Sequence, residues 1–116
     1  MPTLLPRPAA IHPKEYRQRR EALMAQLPSN AALLVPGASL VTRSHDSEYP
    51  FRQQSDFYYL TGIQEPDALL VLLPGRAEGQ SVVFCQDRDP TMEAWTGRRL
   101  GAQGVVSLHG IDQAFE

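Results

Sequence analysis

Residues 56–86 read DFYYLTGIQEPDALLVLLPGRAEGQSVVFCQ, and the fold turns on how this stretch divides. Residues 68–73 (ALLVLL) are wholly apolar, bounded by Glu65-Pro66-Asp67 on one side and Pro74-Gly75 on the other. An apolar run of that length between turn signals reads as a buried strand. Residues 81–85 (SVVFC) repeat the pattern after Gly79. Upstream, residues 56–61 (DFYYLT) are rich in strand-favouring aromatics and stop at Gly62. On this division residues 56–86 form an antiparallel meander.

Working outward, residues 31–35 (AALLV), between Asn30 and Pro36-Gly37, read as another buried strand. A helix is expected to begin near Pro13, whose missing N–H suits the first helical position. Tyr16, Leu23, Met24 and Leu27 supply its apolar stripe, and Pro28 ends it. Downstream, Asp89 caps a short helix that opens at Pro90 and closes at Gly97. Residues 101–107 then read as loop running into a strand, with a further helix from Ile111. The fold class is therefore α/β, a mixed sheet flanked by helices. Residues 1–11, with Pro2, Pro6 and Pro8, form a proline-rich arm, and residues 12–116 form one domain.

Composition narrows the function classes. The 116 residues are 42% hydrophobic and 21% charged, ordinary for a globular protein rather than a disordered or fibrous one. A net charge of −2 argues against nucleic acid as a partner. No apolar run approaches the roughly 20 residues of a bilayer span, and the N-terminus lacks the apolar core of a signal peptide. The single cysteine, Cys85, fits a reducing compartment, so a cytoplasmic protein is expected. His12, His45 and His109 lie far apart, with no HExxH, CxxC, GxSxG or phosphate-loop spacing. A complete enzyme is not expected from this inventory. Arginine outnumbers lysine ten to one, which suits bidentate ion pairing as well as coding bias.

Two polar segments stand out. In the first, RSHDSEYPFRQQSDFYYLTG (43–62), His45, Asp46 and Glu48 could be taken for a metal site. Hard cations need several convergent oxygens, so pairing of Arg43 and Arg52 with Asp46, Glu48 or Asp56 is the expected use. Asp56 could equally cap the following strand. The second, RDPTMEAWTGRRLG (88–101), places the only tryptophan, Trp95, on a helix of barely two turns. Such a helix has little apolar face to hide an indole, so Trp95 is a candidate contact residue as well as a candidate core residue.

These segments, in this order, resemble the N-terminal domain of Xaa-Pro aminopeptidase (aminopeptidase P) of the creatinase/prolidase group. The similarity runs from about Tyr16 to Glu116 and rests on SEYPFRQ, SDFYYLTG, EP and EAWTGRRLG. It implies a ribonuclease-H-like α/β fold, shorter here than the family's whole N-terminal domain. The family enzyme releases the N-terminal residue from peptides with proline at the second position. It uses two manganese ions held by Asp, His and Glu in a separate C-terminal domain. No such ligand motif maps onto this chain, so no metal and no catalytic residue is expected here. The resemblance further implies homo-oligomer contacts, with Trp95 walling the substrate pocket of a neighbouring subunit. Asp46 is a second, weaker candidate for substrate contact. His45 and Thr96 depart slightly from the family pattern. The alternative is a free-standing, non-catalytic interaction module of the same fold.

Overall fold

A computed structural model describes residues 11–40, 42–44, 47–48, 51–96 and 99–116. Helix α1, Pro13–Met24, opens as the sequence reads. His12 Nδ1 accepts from Lys14 N at 3.1 Å, and Pro13 takes the first helical position. Its buried residues are Tyr16, Arg20 and Met24, one per turn. The arginine was not part of the expected stripe. The helix also stops earlier than Pro28, running out through a turn at Ala25 to Leu27.

The main sheet has four strands in the order β1-β4-β5-β6. These are β1 Leu33–Pro36, β4 Leu69–Leu72, β5 Ser81–Phe84 and β6 Gln113–Phe115. β1, β4 and β5 run antiparallel, with Leu70 opposite Val35 on one side and Val83 on the other. β6 lies parallel to β5, Val83 opposite Ala114, which makes the sheet mixed. Strands β2 Thr42–Ser44 and β3 Ser47–Glu48 form a separate antiparallel ribbon.

Three expectations are overturned. Residues 56–61 are helical, within α2, Ser55–Thr61. Gln54 Oε1 accepts from Phe57 N at 2.8 Å, and Gly62 closes the helix in the left-handed region at φ 73°. Phe57, Leu60 and Thr61 are buried at helical spacing, while Tyr58 and Tyr59 face outward. End capping and the periodicity of burial outweigh the strand preference of the aromatics. The meander therefore consists of β1, β4 and β5. Residues 101–109 form helix α4, Gly101–His109, which buries Gly101 and Val105 and stops at Gly110. The segment after Ile111 is the strand β6, not a helix. It finds the open edge of β5, where its backbone groups gain partners.

Residues 31–35 were also expected to be buried outright. Instead β1 is an edge strand with Leu34 58% exposed. The core joins Met24 of α1, Phe57 and Leu60 of α2 and Val105 of α4 to Leu70, Leu72 and Val83 of the sheet. By register, Leu34, Phe84 and Phe115 point to the opposite sheet face. The expected arm at residues 1–11 lies, except for Ile11, outside the described residues. Among those residues, no helix is long and apolar enough to cross a membrane.

Candidate functional site

The segment holding Trp95 begins as the sequence indicates. Asp89 Oδ1 accepts from Thr91 N at 3.0 Å, and helix α3, Pro90–Thr96, follows. Trp95 lies on this helix, but its side chain is outside the described residues, as are Gly97 and Asp46. The structure does describe how the chain on either side of Trp95 is held.

Glu93 sits two positions before Trp95, with its side chain only 7% exposed. Its Oε1 accepts from Arg88 Nε at 3.0 Å and from Arg99 N at 2.8 Å. The next main-chain donor, Leu100 N, is taken by Glu65 Oε2 at 2.9 Å. Two carboxylates from different elements thus capture consecutive N–H groups. These donors lie just ahead of α4, where no side chain of the helix's own N-cap, Leu100, could serve. The negative charge also suits the positive end of the α4 dipole. Gly101 makes the turn into α4 at φ 70°, and a Cβ there would come within 2.8 Å of Arg88 Cγ. Arg99 Nη1 reaches back to the Asp87 carbonyl at 3.2 Å, closing the junction.

Glu65 connects this junction to the first polar segment. Its carbonyl accepts from Gln53 Nε2 at 2.8 Å, and the same amide donates to Ile63 O at 3.0 Å. Gln53 Oε1 in turn accepts from Ala38 N and Gln54 N, so a buried glutamine ties residues 38, 53–54 and 63–65 together. Burial raises the Glu65 pKa, opposed by the Leu100 N–H and the charge of Arg99. Its other oxygen, Oε1, is buried without a hydrogen-bond partner among the described residues. Burial and the charges of Glu65 and Glu116 push the nearby Cys85 thiol up as well, which disfavours the reactive thiolate.

The remaining expectations divide as follows. Arginine supplies the cation of the ion pairs among the described residues, including Arg88–Glu93, Arg99–Asp87 and Arg17–Asp112. Arg52 and Asp56 do not pair; Asp56 accepts from Gln54 Nε2 at 3.5 Å, and Gln54 rather than Asp56 caps α2. The other proposed pairings fall on side chains outside the described residues. A surface cleft of about 600 Å³ lies elsewhere, between α1, β1 and α2. Arg19 crosses its rim, 4.3 Å from the Tyr59 ring centroid. Among the described residues no three His, Cys, Asp or Glu converge as metal ligands. Sequence reasoning missed Gln53, Glu65 and Glu93 because each holds main-chain groups, which leave no residue pattern to read.

Fold and site together define an α/β domain in which, among the described residues, Gln53, Glu65 and Glu93 grip main-chain groups. Comparison with known proteins gives that class a family. The profile described as "Aminopeptidase P, N-terminal domain" matches residues 16–116, and the chain belongs to that family. It is 47% identical over 106 residues to Xaa-Pro aminopeptidase of Escherichia coli strain K12, covering 90% of this chain and 24% of that protein. It also superimposes on the structure of Pseudomonas aeruginosa aminopeptidase PepP, with a TM-score of 0.88 and 48% identity, over 90% of this chain and 24% of the other. A Zn-substituted E. coli aminopeptidase P in complex with product matches with a TM-score of 0.85 and 45% identity, over 92% of this chain and 24% of the other. The chain therefore spans about a quarter of the length of the relatives it matches.

Proposed function

We propose that this domain serves a manganese-dependent Xaa-Pro aminopeptidase, which releases the N-terminal residue preceding proline. The observation that carries this reading is the match to aminopeptidase P N-terminal domains from Tyr16 to Glu116. In this reading the domain mediates oligomer contacts, and Trp95 walls the substrate pocket of a neighbouring subunit, with Asp46 a second, weaker candidate for substrate contact. A flat indole gives a proline ring a close apolar wall at small entropic cost. Its contribution is to bind and orient the peptide; the chemistry belongs to the metal-bearing part of the enzyme.

The described residues do not fit the metals. They offer no convergent set of hard oxygen and nitrogen donors. In the proposed enzyme the two manganese ions would be held by residues beyond this set and would supply Lewis-acid chemistry there. The domain is a cytoplasmic component in this reading.

Two assays test the proposal. The purified 116-residue protein, given manganese and an Xaa-Pro peptide, should show no turnover; metal-dependent release of the first residue would contradict the division of labour. The uninterrupted reading frame that contains this sequence should encode spaced Asp, His and Glu ligands downstream and yield an active enzyme. A frame that stops at Glu116 would favour the free-standing interaction module instead.

A further inference from the structure

We propose that Glu65 and Glu93 are positioning residues for helix α3, the helix that carries Trp95, and act by clamping the chain beyond it. The functional weight of this clamp rests on the pocket role assigned to Trp95 above; the clamp itself rests on geometry.

A helix of seven residues is too short to hold its own shape in water, so its orientation must be set by its ends. Asp89 fixes the first end through Thr91 N. At the other end Glu93 bonds Arg99 N, six residues ahead, and so ties the helix to the chain that follows it. Glu93 stands on the same helix as Trp95, so fixing its carboxylate fixes the helix's rotation as well. Glu65 Oε2 holds the adjacent Leu100 N and anchors that stretch to the domain. Its own backbone is locked by Gln53, so the anchor does not depend on α3. Both acceptors are charged, which makes these bonds shorter and stronger than amide–amide ones. Gln53 belongs to the first polar segment, residues 43–62. The two parts of the chain that carry the family resemblance are thus joined mechanically at Glu65.

Trp95 is the only tryptophan, so fluorescence excited at the red edge of its absorption, where the four tyrosines do not absorb, reports on it alone. Glu93→Ala and Glu65→Ala should each shift its emission maximum and lower its anisotropy while far-UV circular dichroism stays native. Glu93→Gln should restore most of the anisotropy, because its amide oxygen can still accept from Arg99 N. Asp112→Asn, which disturbs a different carboxylate far from α3 in sequence, should leave the emission unchanged. Should an alanine variant fail to fold, Glu93→Asp decides: it keeps the charge but shortens the arm, and an intermediate shift is expected. Unchanged emission and anisotropy in the folded Glu variants would overturn the proposal. So would an equal change in Asp112→Asn, since that means general loosening. In an active enzyme containing this domain, the same Glu variants should raise KM for an Xaa-Pro peptide more than they lower kcat. A fluorescence change without any kinetic change would refute the pocket role while leaving the clamp standing.

Discussion

Arg20 Nη1 donates to the carbonyl of Leu60 at 2.8 Å from a residue only 1% exposed. Its Nη2 reaches Gly110 O at 3.1 Å, so one guanidinium joins α1 to the C-terminal ends of both α2 and α4. Carbonyls at helix ends lack intrahelical partners and carry the negative pole of the helix dipole, which suits a cation. Burial and the charge of Arg17 lower the Arg20 pKa to about 10, far above neutrality, so the side chain folds as a cation. Arg20→Met retains much of the apolar volume but strands both carbonyls. We expect a loss of about 2–4 kcal/mol, as for buried groups left unpaired. Urea denaturation checks it; a loss below about 1 kcal/mol would mean the carbonyls find other partners.

Gly62→Ala tests why residues 55–61 form a helix. At φ 73° a Cβ would lie 2.6 Å from Tyr16 Cε2, inside any tolerable contact. The left-handed backbone alone costs about 1 kcal/mol, and the clash with a buried ring adds to it. A total of about 2–4 kcal/mol is expected, in the range of overpacked cores. Tyr16→Leu should recover part of the loss in the double variant, because the ring is the obstacle. Additive losses would show that backbone conformation alone is responsible.

Much of this architecture was legible in the sequence, and the failures share a cause. Within residues 68–73 and 81–85, Leu69–Leu72 and Ser81–Phe84 fold as strands because long apolar runs with flanking turns leave little else to do. Pro13 and Asp89-Pro90 mark helix starts through local chemistry. The aromatic run at 57–59 looked like a strand because propensity was weighed without the caps at Gln54 and Gly62. The helix at 101–109 was hidden by Val105 and Val106, which read as strand until Gly110 is taken as the stop. Arg20 had no visible reason to be buried, since its acceptors lie 40 and 90 residues away. Glu65 and Leu100, 35 residues apart, pose the same problem for the candidate site.

Asp112 should govern stability in acid. Burial by itself raises its pKa, but Gln80 N, Ser81 N and Arg17 together hold the carboxyl below its ordinary value. A carboxylate depressed in the fold contributes stability that is complete above the unfolded value of 3.8 and is lost as pH falls through the folded value. The stability difference between the protein and Asp112→Asn should therefore be largest at neutral pH and shrink below about pH 4. A difference that stays constant through that range would show that the charge contributes nothing.

The sheet face opposite the helices carries Leu34, Phe84 and Phe115, 58%, 44% and 47% exposed. The Phe84 and Phe115 rings lie 5.8 Å apart, so the apolar surface is continuous between β5 and β6. Contiguous exposed apolar surface marks a region that a soluble protein covers. The isolated 116-residue protein should bind a hydrophobic dye while folded or self-associate as its concentration rises. Phe84→Lys should suppress both at a stability change of no more than about 1 kcal/mol, as for half-exposed sites. Dye binding that persists undiminished would place the sticky surface elsewhere, with the α1–β1–α2 cleft the next to test.

The role of Trp95 is the centre of the account, and Trp95→Ala in an active enzyme containing this domain tests it directly. With kcat and KM measured on an Xaa-Pro peptide alongside Tm, kcat/KM should fall at least about 10-fold, the scale of a lost apolar pocket contact. The loss should appear mainly in KM, with Tm unchanged. Unaltered kcat/KM in a folded variant, or activity lost in step with Tm, would contradict the account and return Trp95 to the core.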